Sequence, residues 1–194
     1  MPYVEKNVRQ RTMTRVMDMR LGLIAGRWYD NGLGIAGGTY NHSVTVQPNV
    51  LQAVPILLNH DAKLDRIAVH NHQSDATGLI RMGLYTNLRG KPDALLLDAG
   101  TVGMSSSAVQ EITIDKRYDG GWYWFVFEHS ASNPINFHGI DNAEGNGLLG
   151  LTNPTDTGRY THIHGAGGGG LLPQTFPTPS WQAGDVPRVL VRIA

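Results

Sequence analysis

Short segments with strand-like patterns follow one another along most of this 194-residue chain, and no segment between them has a helical pattern. Turn residues separate these segments, which are spaced roughly 10–14 residues apart. Such spacing without helices favours an antiparallel sandwich, and eight strands are the number that a jelly roll requires. The sequence therefore predicts an all-β jelly-roll sandwich of about eight antiparallel strands. The predicted strands are Tyr40–Val46, Leu51–Leu58, Leu64–His72, Gly78–Tyr85, Ala94–Val102, Val109–Asp115, Trp122–His129 and Arg188–Ile193.

The stretch 78–102 has the clearest hairpin pattern in the chain. Ile80, Met82 and Leu84 alternate with residues of the opposite face, as in a strand with one buried side. Residues 87–92 have turn chemistry, and Gly90 is free to adopt a positive φ. We interpret this stretch as a scaffold hairpin rather than an active site. Residues 130–187 interrupt the strand pattern as a long excursion, in which one short strand is predicted at Tyr160–His164.

The first 37 residues differ from the rest, and we predict an N-terminal extended arm at 1–37 followed by the sandwich at 38–194. Residues 1–27 hold six Lys and Arg against two acidic residues. Their apolar residues lack a regular spacing, so the arm cannot offset its own ordering entropy by forming a core. We expect the arm to attach to a partner protein through Val4, Val8, Arg9, Arg11, Met13, Arg15, Val16, Met17, Arg20 and Leu21.

The charge composition limits the classes of partner. Lys and Arg number 16, as do Asp and Glu, and charged residues are 16% of the chain, below the roughly 25% of an average soluble domain. The zero net charge argues against nucleic-acid binding, which needs a basic surplus. Low charge instead suits a sandwich that neighbouring subunits partly cover. No apolar run reaches the roughly 18 residues of a membrane helix, so no membrane insertion is predicted.

Aromatic residues lie on both faces of the segment from Trp122 to Phe127. This pattern favours a central strand of a sandwich, or a strand buried under a neighbouring subunit. The alternative is a stacking platform for sugar rings, which needs aromatic side chains exposed near turns. The candidate residues for contact with a surface glycan are Tyr85, Tyr118, Trp122 and Trp181.

No catalytic group, metal site or cofactor is predicted. The chain has no cysteine, and Ser105–Ser107 have no adjoining histidine or nucleophile-elbow motif. Residues 141–147 depart from the calcium-loop pattern because residue 143 is Ala and residue 145 is Gly. The His70/His72 pair is followed by a turn, without a carboxylate in a metal-site pattern. We therefore expect a protein that is not an enzyme.

Several segments, in this order, resemble a recurrent jelly-roll domain of tailed-bacteriophage virion proteins of the fibre, spike and receptor-binding type. The resemblance covers about residues 38–194, although residues 130–187 match only at LLPQTFP. The segments that carry it are LQAVPILLNHDAKLDRIAVHNH, IRMGLYTNLRGKPDALLLDAGTV, VQEITID, GGWYWFVF and PRVLVRIA.

This resemblance implies a non-enzymatic homotrimer located in the virion. It implies attachment through the arm to a capsid, portal or tail protein, and contact with a glycan of the host surface. It also implies an alternative for the pair His162 and His164, which three chains would use to hold one ion on the trimer axis. The interpretation that we favour for this pair is two partly exposed histidines beside a glycine-rich loop.

The alternative function is a free-standing carbohydrate-binding module. A secreted module would be expected to carry a signal peptide, and the first 20 residues lack the apolar region of such a signal. The sequence therefore favours the virion protein.

Overall fold

The structure is a computed structural model that describes residues 22–32, 42–140 and 160–194. These residues contain strands and no helix, which confirms the all-β prediction. In chain order the strands are β1 Trp28–Asp30, β2 His42–Val46, β3 Val50–Leu58, β4 Ala62–His70, β5 Asp75–Leu88, β6 Lys91–Met104, β7 Val109–Tyr118, β8 Gly121–His129, β9 Ile135–Ile140, β10 Tyr160–Ala166, β11 Ser180–Ala183, β12 Val186–Pro187 and β13 Val189–Ile193.

The strands form three antiparallel sheets. The four-stranded sheet has the order β1-β13-β4-β7, and the six-stranded sheet has the order β11-β10-β3-β8-β5-β6. A three-stranded sheet has the order β12-β9-β2. Each predicted strand overlaps one of these strands, whereas β1, β9, β11 and β12 were not predicted. The count in the described residues is therefore thirteen rather than about eight.

The main core lies between the four-stranded and six-stranded sheets. Alternate residues of each sheet face inward, so that Val69 and Val191 of one sheet join the same apolar cluster as Phe125 and Phe127 of the other. Phe137 of β9 joins this cluster as well. Two sheets that share one core pack face to face, as the predicted sandwich requires.

A second, smaller core covers the outer face of the six-stranded sheet. Trp124 and Tyr85 are its largest buried side chains, at 1% and 0% exposure. Leu172 and Phe176 cover them from residues 171–177, which we call the strap. Because β8 contributes to both cores and pairs with β3 and β5, the prediction of a central strand at 122–129 is confirmed.

The six-stranded sheet curls around this second core. Lys91 of β6 and Trp181 of β11 belong to opposite edge strands, yet the Lys91 Nζ lies 6.0 Å from the centre of the Trp181 ring. In a flat sheet, strand spacings of about 4.8 Å would separate these edges by about 24 Å. The strap also pairs with the β6 edge through a bridge between Ala94 and Thr175. The outer face is therefore enclosed rather than open.

The β5–β6 hairpin is longer and tighter than predicted. Its turn consists of Arg89 and Gly90, both with positive φ (52° and 78°), which is the geometry of the two-residue hairpin turns whose twist matches that of the strands. The expected role of Gly90 is confirmed. The prediction that the turn extends to Pro92 is wrong, because Pro92 pairs with Asn87 inside the ladder. A proline is tolerated there because β6 is an edge strand.

The first described residues join the four-stranded sheet, although they lie within the range 1–37 predicted as an arm. β1 pairs with β13, and the Gly26 amide donates to the Ile193 carbonyl at 2.8 Å. Leu23 packs against the main core. The ten residues expected to form the attachment surface all lie in 1–21, outside the described residues.

Candidate functional site

Three loops surround an open depression of about 540 Å³ at one end of the sandwich. They are the β4–β5 loop, the β6–β7 loop and the segment that leads into β9. Most of the lining side chains are polar and exposed, so they are accessible to a ligand. The lining residues are His72, Gln73, Ser74, Asp75, Ser107, Asn133, Pro134 and Ile135.

The fully buried Asn71 fixes two of these loops to each other. Its Nδ2 donates to the carbonyl oxygens of Gln73 at 2.7 Å and Ser106 at 2.8 Å. Its Oδ1 accepts a hydrogen bond from Gln110 Nε2 at 2.9 Å. Both the NH₂ group and the oxygen of this buried amide therefore have hydrogen-bond partners. The amide holds the β4–β5 and β6–β7 loops in one arrangement.

Further hydrogen bonds join the β4–β5 loop to β9. The His72 amide donates to the Asn136 carbonyl at 2.7 Å, and the Asn136 amide donates to Gln73 Oε1 at 3.0 Å. The Ser107 hydroxyl donates to the His72 carbonyl at 2.9 Å. The lining of the depression is therefore preorganised, which lowers the entropy cost of holding a ligand.

Asp75 gives the depression an ionised acceptor. Its Oδ1 accepts hydrogen bonds from the amides of Thr77 at 2.9 Å and Gly78 at 2.8 Å. These hydrogen bonds hold the pKa of Asp75 below its usual value, with that from the Thr77 amide the largest influence. A carboxylate with this environment accepts hydrogen bonds from hydroxyl groups and repels anions.

Three histidine rings stack beside the depression. The His138 ring of β9 lies between the other two, with centroid distances of 3.9 Å to His70 and 4.6 Å to His72. Burial lowers the pKa of His70, and the charges of His138, His72 and Arg188 lower it further. This histidine stack was not predicted from the sequence, because β4 and β9 are far apart in the chain.

The pair His162 and His164 lies on β10, away from the depression. Their Nε2 atoms are 3.1 Å apart, so one ring donates a hydrogen bond to the other. His162 is 4% exposed and His164 is half-buried, so the expectation of two partly exposed histidines is wrong for His162. Burial lowers the pKa of His162 to about 3. Ile163 between them points into the second core, which places the pair on the opposite face of the sheet.

The aromatic residues expected to contact a glycan do not form one surface. Tyr85 is fully buried beneath the strap, where its hydroxyl donates to the Pro173 carbonyl at 2.7 Å, so its prediction as a surface residue is wrong. Tyr118 packs against the main core, whereas Trp181 packs against the second core. Trp122 retains 36% exposure. The outer face of the six-stranded sheet is therefore not an open aromatic platform.

A buried carboxylate anchors the glycine-rich segment before the strap. Glu128 is 3% exposed, and burial raises its pKa, while hydrogen bonds from the amides of Gly169 and Gly168 oppose that shift. A Cβ atom at Gly167 would collide with Glu128 Oε2 and the Asn49 carbonyl. Gly167 is therefore needed for the close approach of the backbone to Glu128.

The described residues contain no group of three or more His, Cys, Asp or Glu side chains placed to hold a metal ion. None of them forms a helix with the length and hydrophobicity needed to cross a bilayer.

Comparisons with known proteins assign no family to the chain: no family model matches it, and no curated protein is significantly similar. The candidate site therefore rests on the geometry of the chain itself. Its one signal in the sequence is the polar run from Gln73 to Asp75 directly after the predicted strand Leu64–His72, a position where loops often carry binding residues.

Proposed function

We propose that the protein is a structural component of a bacteriophage virion. In this proposal it is a non-enzymatic jelly-roll domain that assembles as a homotrimer, attaches through its N-terminal residues to a capsid, portal or tail protein, and presents its far end to the host surface. The observation that carries the proposal is the strand order, taken together with the resemblance of the strand sequences to phage jelly-roll domains.

The strand order supports a jelly roll in detail. Eight strands, β1, β3, β4, β5, β6, β7, β8 and β13, can be read as one long antiparallel ribbon folded over twice. The successive pairs of this ribbon are β5 with β6, β4 with β7, β3 with β8, and β1 with β13. The pairs β13–β4 and β8–β5 then join these strands into the four-stranded and six-stranded sheets. The same strand pairs are expected in the double Greek key of a jelly roll, a fold that includes viral capsid domains, and they support the proposed jelly roll.

The positions of the chain's first described residues and of the depression support the proposed orientation. Gly26 and Arg27 bond to Ile193, and Ile193 pairs with Leu64 near the start of β4. The depression and the histidine stack lie past the other end of β4, at His70 and beyond. The six residue steps from Leu64 to His70 correspond to about 20 Å of strand. These positions support the proposed orientation, in which the N-terminal residues attach at one end of the sandwich and the exposed loops face outward at the other.

Quantitative mass spectrometry of purified phage particles tests this proposal. We expect peptides of this chain in particles purified through a density gradient, at a copy number that is a multiple of three. A matched gradient fraction from uninfected, mechanically lysed host cells serves as the control for contamination. Absence of the chain from purified particles, with its presence only in the free protein of the lysate, would refute the assignment.

The second candidate function is a carbohydrate-binding module. The observation that favours it is the preorganised polar depression, where the ionised Asp75 and the amide of Asn133 offer both acceptors and donors to sugar hydroxyl groups. The repulsion between Asp75 and anions favours neutral saccharides over acidic ones. Binding of neutral sugars by a monomeric chain, together with its absence from particles, would support this candidate instead.

A further inference from the structure

Asn31 joins the end of β1 to the last two strands of the sandwich. Its Nδ2 donates to the carbonyl of Pro187 in β12 at 3.2 Å, and its Oδ1 accepts a hydrogen bond from the amide of Val189 in β13 at 3.0 Å. Both the NH₂ group and the oxygen of this partly buried side chain therefore have partners. We call Asn31 and these two hydrogen bonds the β1 clamp.

The residue that follows Asn31 is a glycine because the local turn leaves no room for a side chain. The Gly32 amide donates to Asp30 Oδ1 at 3.0 Å, which is an Asx-turn. A Cβ atom at position 32 would lie only 2.9 Å from the same oxygen. Without a Cβ atom, however, the backbone nitrogen of Gly32 is unshielded. The turn therefore places an unshielded nitrogen directly after an asparagine.

Such a nitrogen can attack the side chain of the preceding asparagine. The Gly32 nitrogen bonds to Asn31 Cγ, the bond from Cγ to Nδ2 breaks, and ammonia leaves with the proton of the Gly32 amide. Water then opens the cyclic imide at one of its two carbonyl carbons, which gives aspartate or isoaspartate at position 31. The net reaction exchanges NH₂ for OH, consumes only water and needs no enzyme.

The β1 clamp and the Asx-turn oppose this reaction in the folded protein. The attacking nitrogen donates its proton to Asp30, and the carbon under attack belongs to an amide that is held at both its oxygen and its nitrogen. These three hydrogen bonds must open before the reacting atoms can rearrange. Local opening of this kind occurs in a small fraction of the molecules at any time. Conversion should therefore be slower in the folded protein than in the unfolded chain.

The product cannot rebuild the clamp. A carboxylate at position 31 has no N–H group to donate to the Pro187 carbonyl, and it places negative charge against that oxygen and next to Asp30. Isoaspartate in addition lengthens the main chain by one carbon. Leu23 and Tyr29 still hold the rest of this segment against the main core. The expected change is therefore local, at residues 30–32 and 187–189.

We propose that Asn31 is a site of spontaneous deamidation, which the fold guards through the β1 clamp, and that its conversion opens the clamp irreversibly. This modification goes beyond the virion assignment and does not depend on it. Its test uses the isolated full-length protein, whereas the virion assignment is tested on particles, so that failure of one leaves the other standing.

Timed incubation followed by peptide mapping tests the reaction and its protection by the fold. Full-length protein is held at pH 8 in buffer and in concentrated urea, and tandem mass spectrometry of the tryptic peptides 28–63 and 118–159 locates each converted asparagine. The second peptide contains the other Asn-Gly pair of the chain, Asn146–Gly147. In urea we expect both asparagines to convert at similar rates. In buffer we expect Asn31 to convert at least about tenfold more slowly than in urea, the effect of one or two hydrogen bonds. A smaller slowing, or no conversion of Asn31 in urea, would overturn the proposal.

Hydrogen exchange tests the effect of the product on the clamp. Asn31→Asp contains the aspartate product without incubation, and we expect the protection of residues 187–193 to fall by about tenfold at pH 7.5. Thr101→Asp is the matched control, because it adds the same charge at an exposed position of β6 in the other sheet, and it should keep the wild-type protection. Wild-type protection in Asn31→Asp would overturn the proposal, and so would an equal loss in Thr101→Asp. If Asn31→Asp does not fold, the converted wild-type protein, separated by ion exchange through its added negative charge, takes its place.

Discussion

Replacing Trp124 by alanine is expected to lower the free energy of unfolding by about 3–5 kcal/mol, the range for large aromatic residues in a core. Trp124 is 1% exposed in the second core, and its Nε1 donates to Asn87 Oδ1 at 3.0 Å. Trp122 lies two residues earlier on the same strand and is 36% exposed, so Trp122→Ala is expected to cost about 1 kcal/mol or less. Denaturant unfolding of both variants measures the difference.

This pair of variants distinguishes an enclosed second core from an open aromatic platform. On an open platform, the two tryptophans would be similarly exposed, and their replacement would have similarly small effects on stability. Equal free-energy changes for Trp124→Ala and Trp122→Ala would therefore contradict the enclosed arrangement that the strap and the curled sheet produce.

Acid is expected to destabilise the protein through His162. The pKa of this residue is lowered to about 3 in the folded protein, first by burial and then by the charge of His164, from an ordinary value of 6.5. The folded state therefore resists protonation, and stability is lost as the pH falls from about 6.5 toward 3. At pH 4.5 the loss amounts to about 2–3 kcal/mol, since each pH unit of the interval contributes about 1.4 kcal/mol.

The contribution of His162 can be measured by denaturant unfolding at pH 7.5 and pH 4.5. His162→Gln retains hydrogen-bonding groups but does not titrate, so we expect the difference between the two pH values to shrink by most of that amount. The exposed His60→Gln should leave the difference as in the wild type. The pKa values of His70, His129 and His164 are lowered as well, so part of the acid sensitivity should persist in His162→Gln. An unchanged pH difference in His162→Gln would show that this residue is not the source.

The eight strands predicted from the sequence could be recognised from their own residues, either by apolar alternation or by an apolar run bounded by turn residues. β8 was recognisable because both of its faces are apolar, and the β5–β6 hairpin because Gly90 marks its turn. β1 was missed because three residues carry no periodic signal. β9 was missed because Gly139 replaces a side chain in its pattern, a choice that the close approach of Val44 and the Val186 carbonyl explains.

The candidate site was less predictable than the fold because its geometry depends on contacts between distant segments. Tyr85 was assigned to the surface because it lies near a turn, whereas the strap that covers it comes from residues 171–177, which have no regular pattern. In the histidine stack, His72 contacts His138 of β9, and no sequence pattern near either residue predicts this contact.

We propose that residues 1–21 attach the protein to a virion and that the sandwich from residue 22 onward folds on its own. Deleting residues 1–21 keeps Leu23 and the hydrogen bonds of Gly26 and Arg27 to Ile193 in place. We therefore expect the truncated protein to have nearly the same melting temperature as the full chain. When phage that encode the truncated or the full-length chain are purified, we expect only the full-length chain in the particles. Normal incorporation of a folded, truncated chain would contradict the claim, and so would unfolding of the truncated protein.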